Sequence, residues 1–247
     1  MTPQSHTRPL VRVLQHAEPE IPGLIGEILE GRGASLEVVR PYAGDSIPTD
    51  AAPLQGLLVM GGPMGVYEIA RHPHLGDEIE LIRNALARDL PVLGVCLGSQ
   101  LLAAALGARV EPGIKEIGWF PVHLTPEAGA DAMFEGVGPS FTPFHWHGDR
   151  FDLPPGAVSL ARSERTACQA FRHGRSAYGL LFHAEMSESM VRAMVDAFPG
   201  ELKESGADGA AIIARAETAI PEMRRVGETL FGRWAALLGV PSGRGAP

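Results

Sequence analysis

The chain has 247 residues, 45% of them apolar and 20% charged, which is enough for one large α/β domain and short for two. A formal net charge of −8 and a pI near 5.6 argue against a general nucleic-acid or anionic-membrane binder. Two cysteines, Cys96 and Cys168, are too few for a disulfide framework, so a reducing, cytoplasmic setting is expected.

The opening "MTPQSHTRPLVRVLQHAEPE" lacks the apolar core of a signal peptide. No window approaches the ~18 continuous apolar residues of a membrane span. "LVRVLQH" (10–16) predicts a strand, and "IPGLIGEILEGRGA" a helix with Leu24, Ile25, Ile28 and Leu29 on one side, stopped by "GRG". "SLEVVR" (35–40) and "GLLVM" (56–60) predict two more strands, separated by a loop carrying Pro41, Pro48 and Pro53. A helix around 75–88 carries Ile79, Ile82 and Leu86; "PVLGVC" then predicts a strand and 97–106 a helix. Short apolar strands joined by helices imply a parallel sheet covered on both faces. Ligands bind such sheets beyond the carboxyl ends of the strands, where "MGGPMG" (60–65) and Cys96 both fall.

From 108 to 182 the texture changes. "IGWFPVHL", "TPFHWH", "AVSLAR", "CQAFRH" and "SAYGLLF" predict short strands of an antiparallel or mixed region. A helix starts near Ser187, and the Ala-rich stretch 207–239 reads as mostly helical, interrupted or kinked at Pro221. "GVPSGRGAP" reads as a frayed tail.

Cys96 stands where a strand turns into a helix, with Gly94 and Gly98 on either side. A sharp turn lifts such a side chain out of the sheet, and the helix N-terminus favours a thiolate. A buried packing cysteine fits the pentapeptide equally well. A nucleophile needs a base, and "GLLFHAEMSE" offers His183 with Glu185 two residues on. On an extended stretch the two point to the same side, so that Glu185 would orient His183 toward the thiol. The bland alternative is a surface pair at a helix start. Backbone amides near Gly62 and at Leu97 would together make a two-donor oxyanion hole.

The succession "GGPMGVYE", "PVLGVCLGSQLLAAALG", "KEIGWFPVHLT", "FHWHGDRFDLPPGA" and "GLLFHAEMSE" resembles the class I (triad) glutamine amidotransferases over roughly residues 10–200, in particular stand-alone proteins similar to the glutaminase domain of GMP synthase. The resemblance implies an α/β fold with flavodoxin-like layering, whose mixed, mostly parallel central sheet is flanked by helices. It implies a catalytic domain over 1–205 and a C-terminal helical extension over 206–247 packed on the same domain. It also implies a γ-glutamyl thioester on Cys96, with His183 as general acid–base, Glu185 as its orienter, and Gly62 and Leu97 as oxyanion donors. Gln100 would contact the amino-acid end of the substrate, with Trp146, Gly148 and Asp149 in the loop that holds the same end. Three residues depart from the family pattern: Ser99 stands for histidine, Leu181 for glutamine and Ala184 for proline.

The expected activity is cysteine-dependent hydrolysis of a γ-glutamyl amide, either glutamine or a γ-glutamyl peptide or conjugate, without a cofactor. The alternative is a non-catalytic binding or regulatory module retaining the fold. Expected partners are the small-molecule substrate and, for a glutaminase, a separate ammonia-accepting synthase subunit; a homo-oligomer is left open, and no nucleic acid or membrane is expected. His145, His147 and Asp149 alternate along one strand, but no metal site is expected there. Cys168 and Trp119 read as core or pocket wall, Lys115 and Glu116 as a solvated charge pair, and "PEMRRVGE" (221–228) as an exposed helix face.

Overall fold

The computed structural model describes residues 8–239, so most of the tail "GVPSGRGAP" lies outside the described residues. The first half of the chain forms strands β1 (Leu10–Leu14), β2 (Ser35–Val39), β3 (Gly56–Val59) and β4 (Val92–Val95), with helices α1 (Gly23–Gly31) and α2 (His74–Ala87) between them and α3 (Leu97–Ala105) after β4. The second half contains β5 (Val110–Trp119), β6 (Val122–Leu124), β7 (Ser140–Phe141), β8 (Phe144–Phe151), β9 (Ala157–Arg162), β10 (Ala170–His173) and β11 (Ala177–Leu180). Helices α4 (Glu188–Ala197), α5 (Pro199–Ser205) and α6 (Gly209–Leu237) follow.

Nine strands form one sheet in the order β2-β1-β3-β4-β11-β10-β9-β6-β7. The first five pair in parallel, and β10, β9, β6 and β7 continue the sheet antiparallel. The mixed, mostly parallel α/β architecture read from the sequence is therefore the observed one. Alternation along each parallel strand feeds two cores. Val13, Leu58 and Leu93 pack with Leu24, Ile25, Phe231 and Trp234 of α1 and α6, whereas Leu14, Leu57 and Val92 pack with Leu75, Ile82 and Leu101 of α2 and α3.

Two expectations are corrected. "IGWFPVHL" is not one strand. It splits around Phe120–Pro121, with β5 leaving the main sheet to pair with β8 as a separate two-stranded ribbon and β6 joining β9. Pro121 has no amide to give a ladder, so the chain changes sheets there. Helix α6 runs through Pro221 without interruption. The missing amide and ring clash cost about 3 kcal/mol in a helix interior, offset here by burial of Met223, Leu230, Phe231 and Trp234.

Candidate active site

The turn from β4 into α3 is built around a strained residue. Cys96 has φ 50° and ψ −111°, in a region that non-glycine residues rarely occupy, and it precedes the first helical residue, Leu97. The flanking glycines are steric requirements. A Cβ on Gly98 would lie 1.9 Å from the Val59 carbonyl oxygen, and one on Gly94 would lie 2.3 Å from the Gly98 carbonyl oxygen. The start of α3 thus rests directly on the backbones of β3 and β4. Ser99 accounts for its departure from the family pattern by donating its hydroxyl to the Cys96 carbonyl at 2.6 Å.

His183 and Glu185 sit just past the end of β11, the strand beside β4. The expected extended stretch is only a single bridge, in which His183 exchanges backbone hydrogen bonds of 2.8 and 3.0 Å with Phe144; the neighbouring residues are bends. A bend, rather than strand pleating, brings the Glu185 carboxylate (Oε1) to 2.6 Å from His183 Nδ1. The Glu185 carbonyl accepts the Leu24 amide of α1 at 3.0 Å. Behind the same segment, a Cβ on Gly227 of α6 would lie 2.5 Å from the Ala184 carbonyl oxygen. Leu181 is fully buried in the α2/α3 core.

Nδ1 being engaged, Nε2 of His183 is the nitrogen left for Cys96, and the thiol and the ring influence each other strongly. Burial alone would depress the His183 pKa. The Glu185 carboxylate and the Cys96 sulfur outweigh it and hold the imidazole well above its ordinary range. For Cys96, burial pushes the thiol up, while His183 and the Leu97 amide pull it back. The net direction is upward, so the lowered thiol pKa expected of the helix start is corrected: the local influences have the expected sign, and burial outweighs them. The thiol donates to the Trp146 carbonyl at 3.5 Å.

Cys96 opens into a cavity of about 440 Å³ also lined by Gly62, Gln100, Trp146, Gly148 and Asp149, so the substrate-end residues expected from the sequence do converge. Gly62 abuts the turn: a Cβ there would lie 2.8 Å from Leu97 Cδ2 and 2.6 Å from His16 Cβ. Its loop is braced by His16, whose Nδ1 lies 3.0 Å from the Gly61 carbonyl and whose Nε2 lies 2.7 Å from Glu78 of α2.

Other expectations resolve differently. Lys115 and Glu116 are not a solvated pair, because they occupy opposite faces of β5. Lys115 lines the cavity and reaches Glu204 at 2.6 Å. Glu116 is buried and accepts from Thr166 at 2.7 Å and Gln169 at 2.9 Å. His145 and His147 share one face of β8, but their third neighbour is Glu116 across the ribbon, not Asp149, which accepts from Tyr67 at the cavity wall. Burial and the charge of His183 push His147 down to about 3, so its imidazole is neutral. Cys168 is buried with its thiol pushed up to about 11, and the Trp119 indole donates to the Ile212 carbonyl at 3.0 Å. In "PEMRRVGE", Arg224 is exposed and pairs with Glu27 and Glu228, whereas Met223 and Gly227 are buried.

Three cavity residues were not singled out from the sequence: Glu20, Tyr67 and Glu201. For Glu20 a signal existed, since "QHAEPE" follows β1 at the carboxyl edge of a parallel sheet.

A strained cysteine at a strand–helix elbow, a histidine and a glutamate from the next strand, and a glycine loop beside them make up a cysteine-triad site on a doubly covered sheet. Comparison agrees, for the family described as Glutamine amidotransferase class-I matches residues 23–196, and the chain belongs to it. Among curated proteins it is 32% identical over 199 residues to the glutamine amidotransferase-like protein YfeJ of Salmonella typhimurium, covering 79% of this chain and 83% of that one. It is 36% identical over 156 residues to the GMP synthase of Thermomicrobium roseum, covering 63% of this chain and only 28% of that protein's length. A crystal structure of a glutamine amidotransferase from Thermotoga maritima superposes with a TM-score of 0.84 at 31% identity, covering 93% of this chain and 99% of that one. The family is one of glutamine-hydrolysing enzymes. Among the described residues, no helix is long and apolar enough to cross a membrane.

Proposed function

We propose that the chain hydrolyses a γ-glutamyl amide through a thioester on Cys96. The observation that carries this reading is the placement of Cys96 in the cavity, beside a His183 whose other nitrogen is fixed 2.6 Å from Glu185. The Cys96 sulfur attacks the γ-carbonyl carbon while His183 takes up the thiol proton. The oxyanion that forms is stabilised by the amides of Gly62 and Leu97, each such donor being worth about 2.7–4 kcal/mol in the transition state. The C–N bond then breaks as His183 returns the proton to the departing nitrogen, leaving a γ-glutamyl thioester and free ammonia or amine. Water deprotonated by His183 attacks the thioester, releasing glutamate and restoring the thiol. Gln100, Trp146, Gly148 and Asp149 hold the amino-acid end.

Where the substrate is glutamine, a separate synthase subunit would consume the ammonia. The match to only 28% of a GMP synthase is consistent with that division of labour. Glutamate release from glutamine and from a small panel of γ-glutamyl amides, measured beside Cys96→Ala, tests the proposal. Turnover abolished by the substitution is the expected result. Ligand binding without turnover on any amide would instead identify a binding module that has kept the fold.

A further inference from the structure

The cavity beside Cys96 carries more negative charge than the triad or a glutamyl group requires. Five carboxylates line it, from Glu20, Glu68, Asp149, Glu201 and Glu204, against one cation, Lys115. Glu204 is neutralised by Lys115 at 2.6 Å and Glu68 by Arg71 at 2.9 Å. Among the described residues Glu20, Asp149 and Glu201 form no salt bridge. Glu20 is the most telling, being only 6% exposed, with no hydrogen bond to its carboxylate among the described residues. The carboxylate is packed against the glycine loop, where a Cβ on Gly61 would lie 2.0 Å from Oε2. The buried Trp146 indole N–H also lacks a hydrogen-bond partner at the same cavity.

A buried, unpartnered carboxylate is costly unless something cationic occupies the site in the working state. Orienting His183 does not explain it, because Glu185 already does so. A bound γ-glutamyl group does not account for it either. Its α-ammonium and α-carboxylate cancel, and a single ammonium cannot satisfy three free carboxylates. Burial pushes all three acids upward, Glu20 to about 6, as expected of a cluster waiting for a counter-ion.

We propose that the site takes γ-glutamyl amides whose amine portion carries a positive charge, with Glu20 as the partner of that cation and Asp149 and Glu201 contributing to the negative field around it. This inference rests on the reading of the site as a γ-glutamyl amide hydrolase and adds the chemical class of the leaving amine. Glu20 is on this account a specificity residue.

The test is binding to the full-length Cys96→Ser protein, in which the ligand is not consumed. Three amides are compared by calorimetry: γ-glutamylputrescine (cationic), γ-glutamylbutylamide (neutral) and γ-glutamyl-γ-aminobutyrate (anionic). The cationic amide is expected to bind at least about tenfold more tightly than the neutral one, the size of one charge-assisted hydrogen bond in a partly closed site, and the anionic one most weakly. Adding Glu20→Gln should shrink the cationic-to-neutral ratio several-fold, and Glu201→Gln should shrink it less. Equal binding of the cationic and neutral amides overturns the inference. So does Glu20→Gln weakening all three alike, which would place the shared α-ammonium on Glu20. Should Glu20→Gln fail to fold, the ratio in the Cys96→Ser protein alone decides. Absence of turnover by the unsubstituted enzyme on every amide, with the cationic preference intact, would sink the hydrolase reading and leave the charge selectivity standing.

Discussion

The Ala184 amide donates to Glu185 Oε2 at 3.0 Å, while Oε1 of the same carboxylate holds His183 at 2.6 Å. One carboxylate is thus pinned at both oxygens, and the residue that departs from the family's proline supplies the second pin. The looser alignment that the missing proline suggests is not what the local structure shows.

Ala184→Pro therefore removes a donor. A hydrogen bond to a charged group is worth about 1.5–3 kcal/mol, whereas proline's restriction of the unfolded chain returns only about 0.4–1 kcal/mol. The expected outcome is a net loss of about 1 kcal/mol in urea denaturation, with lower kcat. A gain in stability would show that the Ala184 bond contributes nothing.

Glu20 gives a prediction with an unusual sign. Its carboxyl is raised from 4.5 to about 6, chiefly by burial, with the Glu185 and Glu201 charges adding to it and His183 and His16 opposing. Below pH 4.5 the group is protonated whether the chain is folded or not. Between 4.5 and about 6 the folded state binds more protons, so its contribution to stability falls as pH rises; above 6 the full penalty, about 2 kcal/mol, is present. Glu20→Gln should accordingly be more stable than the parent at pH 8 by up to about 2 kcal/mol and unchanged at pH 4. Thermal or urea denaturation at the two values decides, and a loss at pH 8 would contradict the account.

The two thiols should separate under alkylation. Cys96 opens into the cavity beside His183, whereas Cys168 is buried with its pKa near 11. Iodoacetamide at pH 6, followed by peptide mass spectrometry, should label Cys96 first and leave Cys168 until the chain unfolds. His183→Gln should slow the Cys96 reaction by about tenfold for each unit its thiol pKa climbs. Equal labelling of the two thiols in the folded protein would remove the case for activation.

The elbow itself can be probed at Gly98. The methyl of Gly98→Ala would sit 1.9 Å from a backbone oxygen of β3, which cannot swing aside as a side chain can. Overpacking of this kind costs roughly 1–3 kcal/mol, and the upper end is expected here. A denaturation midpoint equal to that of the parent would mean that α3 is free to shift outward.

These residues differ in how visible they are in the sequence. Cys96 with its two glycines is a local pattern, and so are the apolar strands around it; His183 and Glu185 could be paired because they are two residues apart. The β5–β8 ribbon was hidden, because its partners are distant in sequence and only Pro121 hints that the chain changes sheets. Glu116 looked solvated beside Lys115, since the polarity of neighbouring residues says nothing about which face of a strand each occupies. Glu20, Tyr67 and Glu201 come from separate elements and meet only when the fold closes.

Gly227 carries a consequence of its own. The absence of a side chain there lets the long helix 209–237 press against the Ala184 carbonyl, while the start of that helix accepts the Trp119 indole. The catalytic segment therefore has its back wall made by the part of the described chain that leaves the ribosome last. A nascent chain that has emerged as far as α5 already contains Cys96, His183 and Glu185, yet nothing stands behind them. Competence for chemistry is withheld until synthesis is nearly complete, so that unfinished chains carry the thiol without a fully braced triad.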